Sequence, residues 1–270
     1  MKDNRENRKL LTIPEALRQK RNVMGAVILR DMRTRFFNHG LGFLVQSLWP
    51  LVHILVIIFI NTLSGRAAPY GESPLIFFGA GVIPTLTFTY ISRFMSLSVV
   101  LNKNMLSFPI VKATDVLFGR AFLEIIAGCI TLLFMWIIFM ALGLDPYPAD
   151  PAQAVMAYLA TILLAIGFGT IAGVISSFLP MFATAYALMG IIFYVSSGCL
   201  FVTPNLPDQI AIPLSYNPIV QCVEWMRTAY FENYSDRLVD KEYLLAFGII
   251  SLLAGLLAER FSRRILMDGS

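Results

Sequence analysis

This sequence predicts an all-α integral membrane protein of six transmembrane helices, and three observations predict it. The 270 residues are 57% hydrophobic and only 14% charged, more apolar material than a soluble domain of that length buries. The apolar residues come in continuous runs without the alternation of barrel strands, so the spanning elements are helices. Crossing about 30 Å of hydrocarbon takes roughly 20 predominantly apolar residues. Runs of that order recur near 41–63, 75–99, 117–143, 154–178, 182–202 and 243–259. The chain divides accordingly into a cytoplasmic N-terminal segment over 1–40, a transmembrane domain over 41–260 and a cytoplasmic tail over 261–270.

The first element precedes the first span. From Pro14 to Phe37 basic and apolar residues mix at helical spacing, with Met24, Val27, Ile28 and Met32 on one face and Arg30 and Arg33 opposite. Pro14 suits the first turn. Two readings stand: an amphipathic helix lying in the cytoplasmic interface with its basic face toward headgroups or a partner, or a solvated linker that only enforces topology. Six spans put both ends on one side, and Lys and Arg say which. The first 40 residues hold ten of the 21 basic residues, Lys103 and Lys112 follow between spans two and three, and Arg260, Arg263 and Arg264 close the tail. The opposite loops hold Arg66, Arg227, Arg237 and Lys241. Both termini are therefore expected in the cytoplasm. The net charge of +4 follows from this asymmetry, so no nucleic-acid partner is needed to account for it. With a polar stretch of 40 residues first, no cleavable signal peptide is expected.

Between spans two and three, "LNKNMLSFPIVKATD" (101–115) is too polar for the bilayer and too short for a domain. It predicts one short helix at the cytoplasmic surface, broken at Pro109. In a transporter driven by a separate motor such a loop is where force enters, which makes Lys103, Asn104, Phe108, Pro109 and Lys112 coupling candidates. The turn "FLPMFA" (178–183) is nearly uncharged and predicts a tight hairpin of spans four and five. From Thr203 to Asp240 the chain carries Pro204, Pro207, Pro213 and Pro218, yet "IVQCVEWMRTAYF" (219–231) has helical character. Short re-entrant helices between spans five and six are expected there, their irregular backbone covered by protein.

Ionisable groups at membrane depth are costly unless paired or facing a cavity. Arg120 and Glu124 are one helical turn apart near the start of span three, with Asp115 just before them and Arg93 near the end of span two. An i,i+4 ion pair anchoring the helix and a direct part in gating or substrate contact both fit. Arg93 either joins this network or snorkels to the surface. Glu224 and Arg227, three apart on one helix face, either brace the re-entrant segment or flank the exit of a substrate path. In "GFGTIAG" (167–173) the pair Gly169 and Gly173, with Ala165 one turn earlier, predicts close helix packing rather than nucleotide binding.

Enzymatic classes fare poorly. His39 and His53 are the only histidines, and no nucleophile–His grouping or metal-ligand spacing occurs. Cys129, Cys199 and Cys222 lack CxxC spacing and read as packing residues. The phosphate-cradling GxxxxGK[ST] is absent, so no cofactor is assigned to this chain and any ATP and Mg belong to a partner ATPase. Charges are scarce at mid-span, where a secondary transporter needs a coupling-ion site.

Three strings carry a resemblance: "FPIVKATDVLFGRAFLE" (108–124), "SSGCLF" (196–201) and "YNPIVQCVEWMRTAYFENY" (216–234). With the six-span pattern, they are similar to the type-2 ABC exporter permeases of capsular polysaccharide and O-antigen systems. The segment "LRDMRTRFFNHGLGFLVQSLWPL" (29–51) is similar to that family's entry into span one, with Val45 and Trp49 where the family carries Trp and Glu. The resemblance implies a homodimer of this permease bound to two copies of a nucleotide-binding ATPase subunit, which the loop 101–115 and the N-terminal helix would touch. It implies a polysaccharide or glycolipid substrate, threaded between the two permeases toward periplasmic and outer-membrane export proteins. A permease of the same type for a drug or lipid remains the neighbouring alternative, and a membrane enzyme or secondary transporter the more distant ones.

Overall fold

A computed structural model of the chain describes residues 12–35, 40–65, 67–108 and 110–268. The helices are α1 (Ile13–Arg35), α2 (Gly40–Leu63), α3 (Pro74–Leu101), α4 (Lys103–Leu106), α5 (Ala113–Ala141), α6 (Pro151–Phe178), α7 (Met181–Ser196), α8 (Asp208–Ser215), α9 (Pro218–Tyr230) and α10 (Lys241–Asp268). A single 3-10 turn, Thr203–Asn205, precedes α8, and no strand occurs among the described residues.

Pro74–Leu101, Ala113–Ala141, Pro151–Phe178 and Lys241–Ser262 are long and apolar enough to cross a membrane, and Leu48–Leu63 and Met181–Ser196 are shorter apolar helices. The stretches expected at 75–99, 117–143, 154–178 and 243–259 thus fall on α3, α5, α6 and α10, and those at 41–63 and 182–202 on α2 and α7. Helix α7 stops at Ser196, short of the expected 202, because Gly198 adopts φ +76° just past the C-cap Ser197 and turns the chain. Its 16 residues rise roughly 24 Å at 1.5 Å per residue.

Proline and short polar side chains set where helices begin. Pro151 opens α6 behind Asp150, whose carboxylate accepts the Gln153 amide at 3.0 Å. Pro218 opens α9 behind Asn217, whose side-chain oxygen accepts the Ile219 amide at 3.0 Å. Asn217 also donates to the Ser196 carbonyl at 3.2 Å and hydroxyl at 3.0 Å, joining the start of α9 to the end of α7.

Helices α3 and α6 form the centre: α3 packs on α2, α5, α6, α7 and α9, and α6 on α10, α9 and α7. Their seams are lined by small residues. A Cβ built at Gly169 would stand 2.9 Å from the Met95 Cβ and 3.1 Å from the Ser92 Cα, and one at Gly255 3.1 Å from the Ile171 nitrogen. Glycines 169 and 173 therefore pack inside this subunit, α6 on α3 and α5. Core hydroxyls close on their own helices: those of Thr85, Ser92, Thr161, Thr170 and Ser176 donate to the carbonyl four residues back at 2.7–3.0 Å.

Replacing Gly169 by Ala forces α3 and α6 apart and is expected to cost about 1–3 kcal/mol of stability, read as a lower unfolding midpoint in detergent. At Gly25 an added Cβ meets nothing within 4 Å, so Gly25→Ala is expected to be neutral or stabilising by about 0.5–1 kcal/mol.

Candidate functional site

Two clusters of buried charge sit toward opposite ends of α3, one against Gly81 and one at Asn102, roughly 30 Å apart along a helix rising 1.5 Å per residue.

The first centres on Arg120 of α5, which is 1% exposed. Its guanidinium pairs with Glu124 one turn on and stands 3.6 Å from Asp31 of α1. It also lies 4.8 Å from the ring centroid of Phe94 on α3. Asn102, between α3 and α4, donates to Asp31 at 3.2 Å and to the Ser98 carbonyl at 2.9 Å, and accepts from Arg30 at 3.0 Å. One network thus joins α1, the end of α3, the approach to α4 and the first turns of α5. Arg30, on the side of α1 away from its apolar face, is part-buried where it donates to Asn102 at the α3–α4 junction. The apolar side of α1 rests on α5, with Met24, Val27 and Ile28 at van der Waals distance from a Cβ built at Gly119.

The other residues expected near this network go elsewhere. Asp115 is buried but turns back to accept the Lys112 amide at 3.0 Å, closing the N-terminus of α5. Arg93 is exposed, its guanidinium 5.9 Å from the ring of its neighbour Phe94, and it forms no ion pair with a described residue. Of the coupling candidates, Lys103, Asn104, Phe108 and Lys112 are all exposed, and Pro109 lies outside the described residues. Phe108 (60% exposed), Leu101 and Ile110 add an apolar surface beside the two lysines.

The second cluster centres on Arg227 of α9, fully buried with Glu224. Its Nη1 donates to the carbonyls of Gly198 at 3.0 Å and Phe201 at 2.6 Å, and its Nη2 to that of Cys199 at 2.8 Å. The guanidinium stacks 4.3 Å from the centroid of Phe77 and lies 3.7 Å from Glu224. Tyr234 donates its hydroxyl to Glu224, 3.0 Å from Oε2. Burial pushes the Glu224 carboxyl above its ordinary range, and Arg227 and Tyr234 pull it back. Arg227 thereby ties the loop after α7 to α9 and α3, a fit that requires Gly81: a Cβ there would lie 2.9 Å from the Cys199 carbonyl oxygen. Burial pushes the thiol of Cys222, also on α9, up to about 12, in keeping with a packing residue.

Asp31, Asn102 and Tyr234 were not singled out by the sequence reading, nor were the rings of Phe77 and Phe94. Asp31 and Asn102 stand among polar residues at helix ends, and only tertiary packing gives them partners. Asn217 carried a signal, since Asn before Pro is a helix-start pattern.

The arrangement predicts that charge order alone is not what Arg120 and Glu124 need. Breaking either member is expected to cost about 3–5 kcal/mol. Exchanging them is expected not to restore the fold, because a carboxylate at 120 faces Asp31; adding Asp31→Asn recovers part of the loss. Arg227→Lys keeps the charge but loses the planar fork to three carbonyls, and the unfolding midpoint falls.

No family model matches the chain. Comparison with characterised proteins finds relatives along nearly its whole length. The polysialic acid transport protein KpsM of Escherichia coli is 30% identical over 233 residues, 86% of this chain and 90% of its own. The capsule polysaccharide export inner-membrane protein CtrC of Neisseria meningitidis serogroup B is 26% identical over 253 residues, 93% of this chain and 95% of its own. The capsule polysaccharide export inner-membrane protein BexB of Haemophilus influenzae is 24% identical over 259 residues, 94% and 96% of the two chains.

Proposed function

We propose that this chain, which belongs to the family of capsule polysaccharide export inner-membrane proteins, is the membrane permease subunit of an ABC-type exporter. It passes a capsular or other cell-surface polysaccharide, lipid-linked, across the inner membrane, powered by a separate ATPase. The observation that carries this reading is the end-to-end match to three transport and export proteins, 90–96% of whose length the chain covers. The chain is a transport protein and not an enzyme; ATP and Mg belong to the partner.

In this reading α2, α3, α5, α6, α7 and α10 are the six spans, and the Lys and Arg excess puts both termini in the cytoplasm. The cytoplasmic end then carries α1, α4 and the Arg120 network, and the periplasmic end α8, α9 and the Arg227 cluster. The exposed strip of α4, Phe108, Ile110 and Lys112 combines cations with apolar side chains, the composition of a docking surface for the ATPase. Because Asn102 adjoins α4 and bonds Asp31, a displacement of α4 reaches α1 through a hydrogen bond and Arg120 through its 3.6 Å ion pair with Asp31. Arg93, Asp115, Arg120, Glu124, Glu224 and Arg227 are candidates for gating or the substrate path; of these, Arg120 and Glu124 are best placed to transmit a motor stroke. The working unit is a homodimer with two ATPase subunits, handing the glycan to periplasmic and outer-membrane proteins.

Deleting the gene is expected to strip the surface glycan while polymer accumulates inside the cell; an intact surface coat overturns the reading. Single cysteines over 103–108 and 110–112 are expected to crosslink to the ATPase subunit. Crosslinks formed from the C-terminal tail alone place the motor contact elsewhere.

A further inference from the structure

The hairpin of α5 and α6 is incompletely closed. The two helices come together where Gly128 faces the Tyr158 hydroxyl, so close that a Cβ at 128 would stand 2.8 Å from it. From there toward the connecting loop, neither helix fills the space between them, and a slot of about 390 Å³ remains. Its floor is α3 and α9, through Ala80, Ile83, Met226 and Tyr230, and Pro146 and Pro148 of the loop close its end. Trp136 and Tyr147 meet edge to face at 6.0 Å and form one wall. The volume lies within the range of small-molecule pockets, about 300–1,000 Å³, and the lining is overwhelmingly apolar.

We infer that this slot holds one acyl chain of a membrane phospholipid, from the leaflet surrounding the α8–α9 end. The slot opens between two helices apolar enough to span a membrane, and Val155 and Leu159 of α6 both line it and are exposed. With α5 and α6 in the bilayer, that exposed edge faces lipid and makes the slot continuous with the lipid surface. Water inside would find apolar walls and almost no hydrogen-bonding partners, whereas a flexible hydrocarbon chain conforms to such a space. The aromatic rims of Trp136 and Tyr147 suit the boundary between chains and headgroups. A chain lodged there braces the α5–α6 hairpin against α9, whose Arg227 orders the loop after α7.

The test uses the full-length protein purified in detergent, without ATPase or glycan, so its outcome is independent of the export reading. The probe is phosphatidylethanolamine with dibrominated acyl chains. After delipidation and incubation with this lipid, native mass spectrometry is expected to show one phospholipid retained per chain. The bromines are expected to quench a fluorescence component that Trp136→Phe removes. Val155→Phe and, as a second variant, Leu159→Phe change exposed residues at the mouth; both are expected to keep the unfolding midpoint of the delipidated wild type and lose the retained lipid and the quenching. The inference is overturned if wild type retains no phospholipid, if the folded mouth variants retain it equally, or if quenching persists unchanged in Trp136→Phe.

Discussion

A charged side chain taken out of water must be paired with opposite charge or hydrogen-bonded, and two arginines impose that demand on this fold. Arg227 and Arg120 are 0% and 1% exposed. Their solutions differ. Arg227 is met by backbone carbonyls of a single loop, so the chain after α7 has to turn with a left-handed Gly198 and press against Gly81. Arg120 is met by carboxylates from its own helix and from α1. The first arrangement shapes one end of α3, and the second fastens a surface helix to the other.

The centre of the molecule makes both possible by bringing backbones close. Where α6 meets α3 and α10, glycines remove the side chains that would hold the helices apart, the hydroxyls of Thr170 and Ser176 bond their own helix, and Ser96 reaches across the seam to Ser176. A rigid pair of central helices then connects the polar network beside α4 with the loop braced by Arg227. In a transporter driven by a motor in another chain, that is the geometry needed for a push at one face to be felt at the other.

The helices themselves were legible in the sequence because apolar runs and proline starts are local signals. The Arg120–Glu124 pair was legible for the same reason, four residues being one helical turn. Asp31 was not, since it lies in a basic segment far from Arg120 in sequence and acquires its role only when α1 folds onto α5. The partners of Arg227 were invisible in another way: they are main-chain carbonyls, which any residue offers. The partner of Arg30 was invisible too, because helical periodicity gives a polar side but not what covers it. The slot between α5 and α6 depends on where Gly128 and Tyr158 touch, which no composition reveals.

The family assignment rests on whole-length similarity, and the structure adds which residues join the surface beside α4 to the long apolar helices. Vectorial transport by this chain with an ATPase in trans can be followed directly by reconstituting both chains in liposomes and tracking a lipid-linked polysaccharide into a protected compartment. Movement is expected only with both chains and hydrolysable ATP; movement by this chain alone, or ATP hydrolysis by the intact complex with no movement of glycan, rules out transport driven in trans.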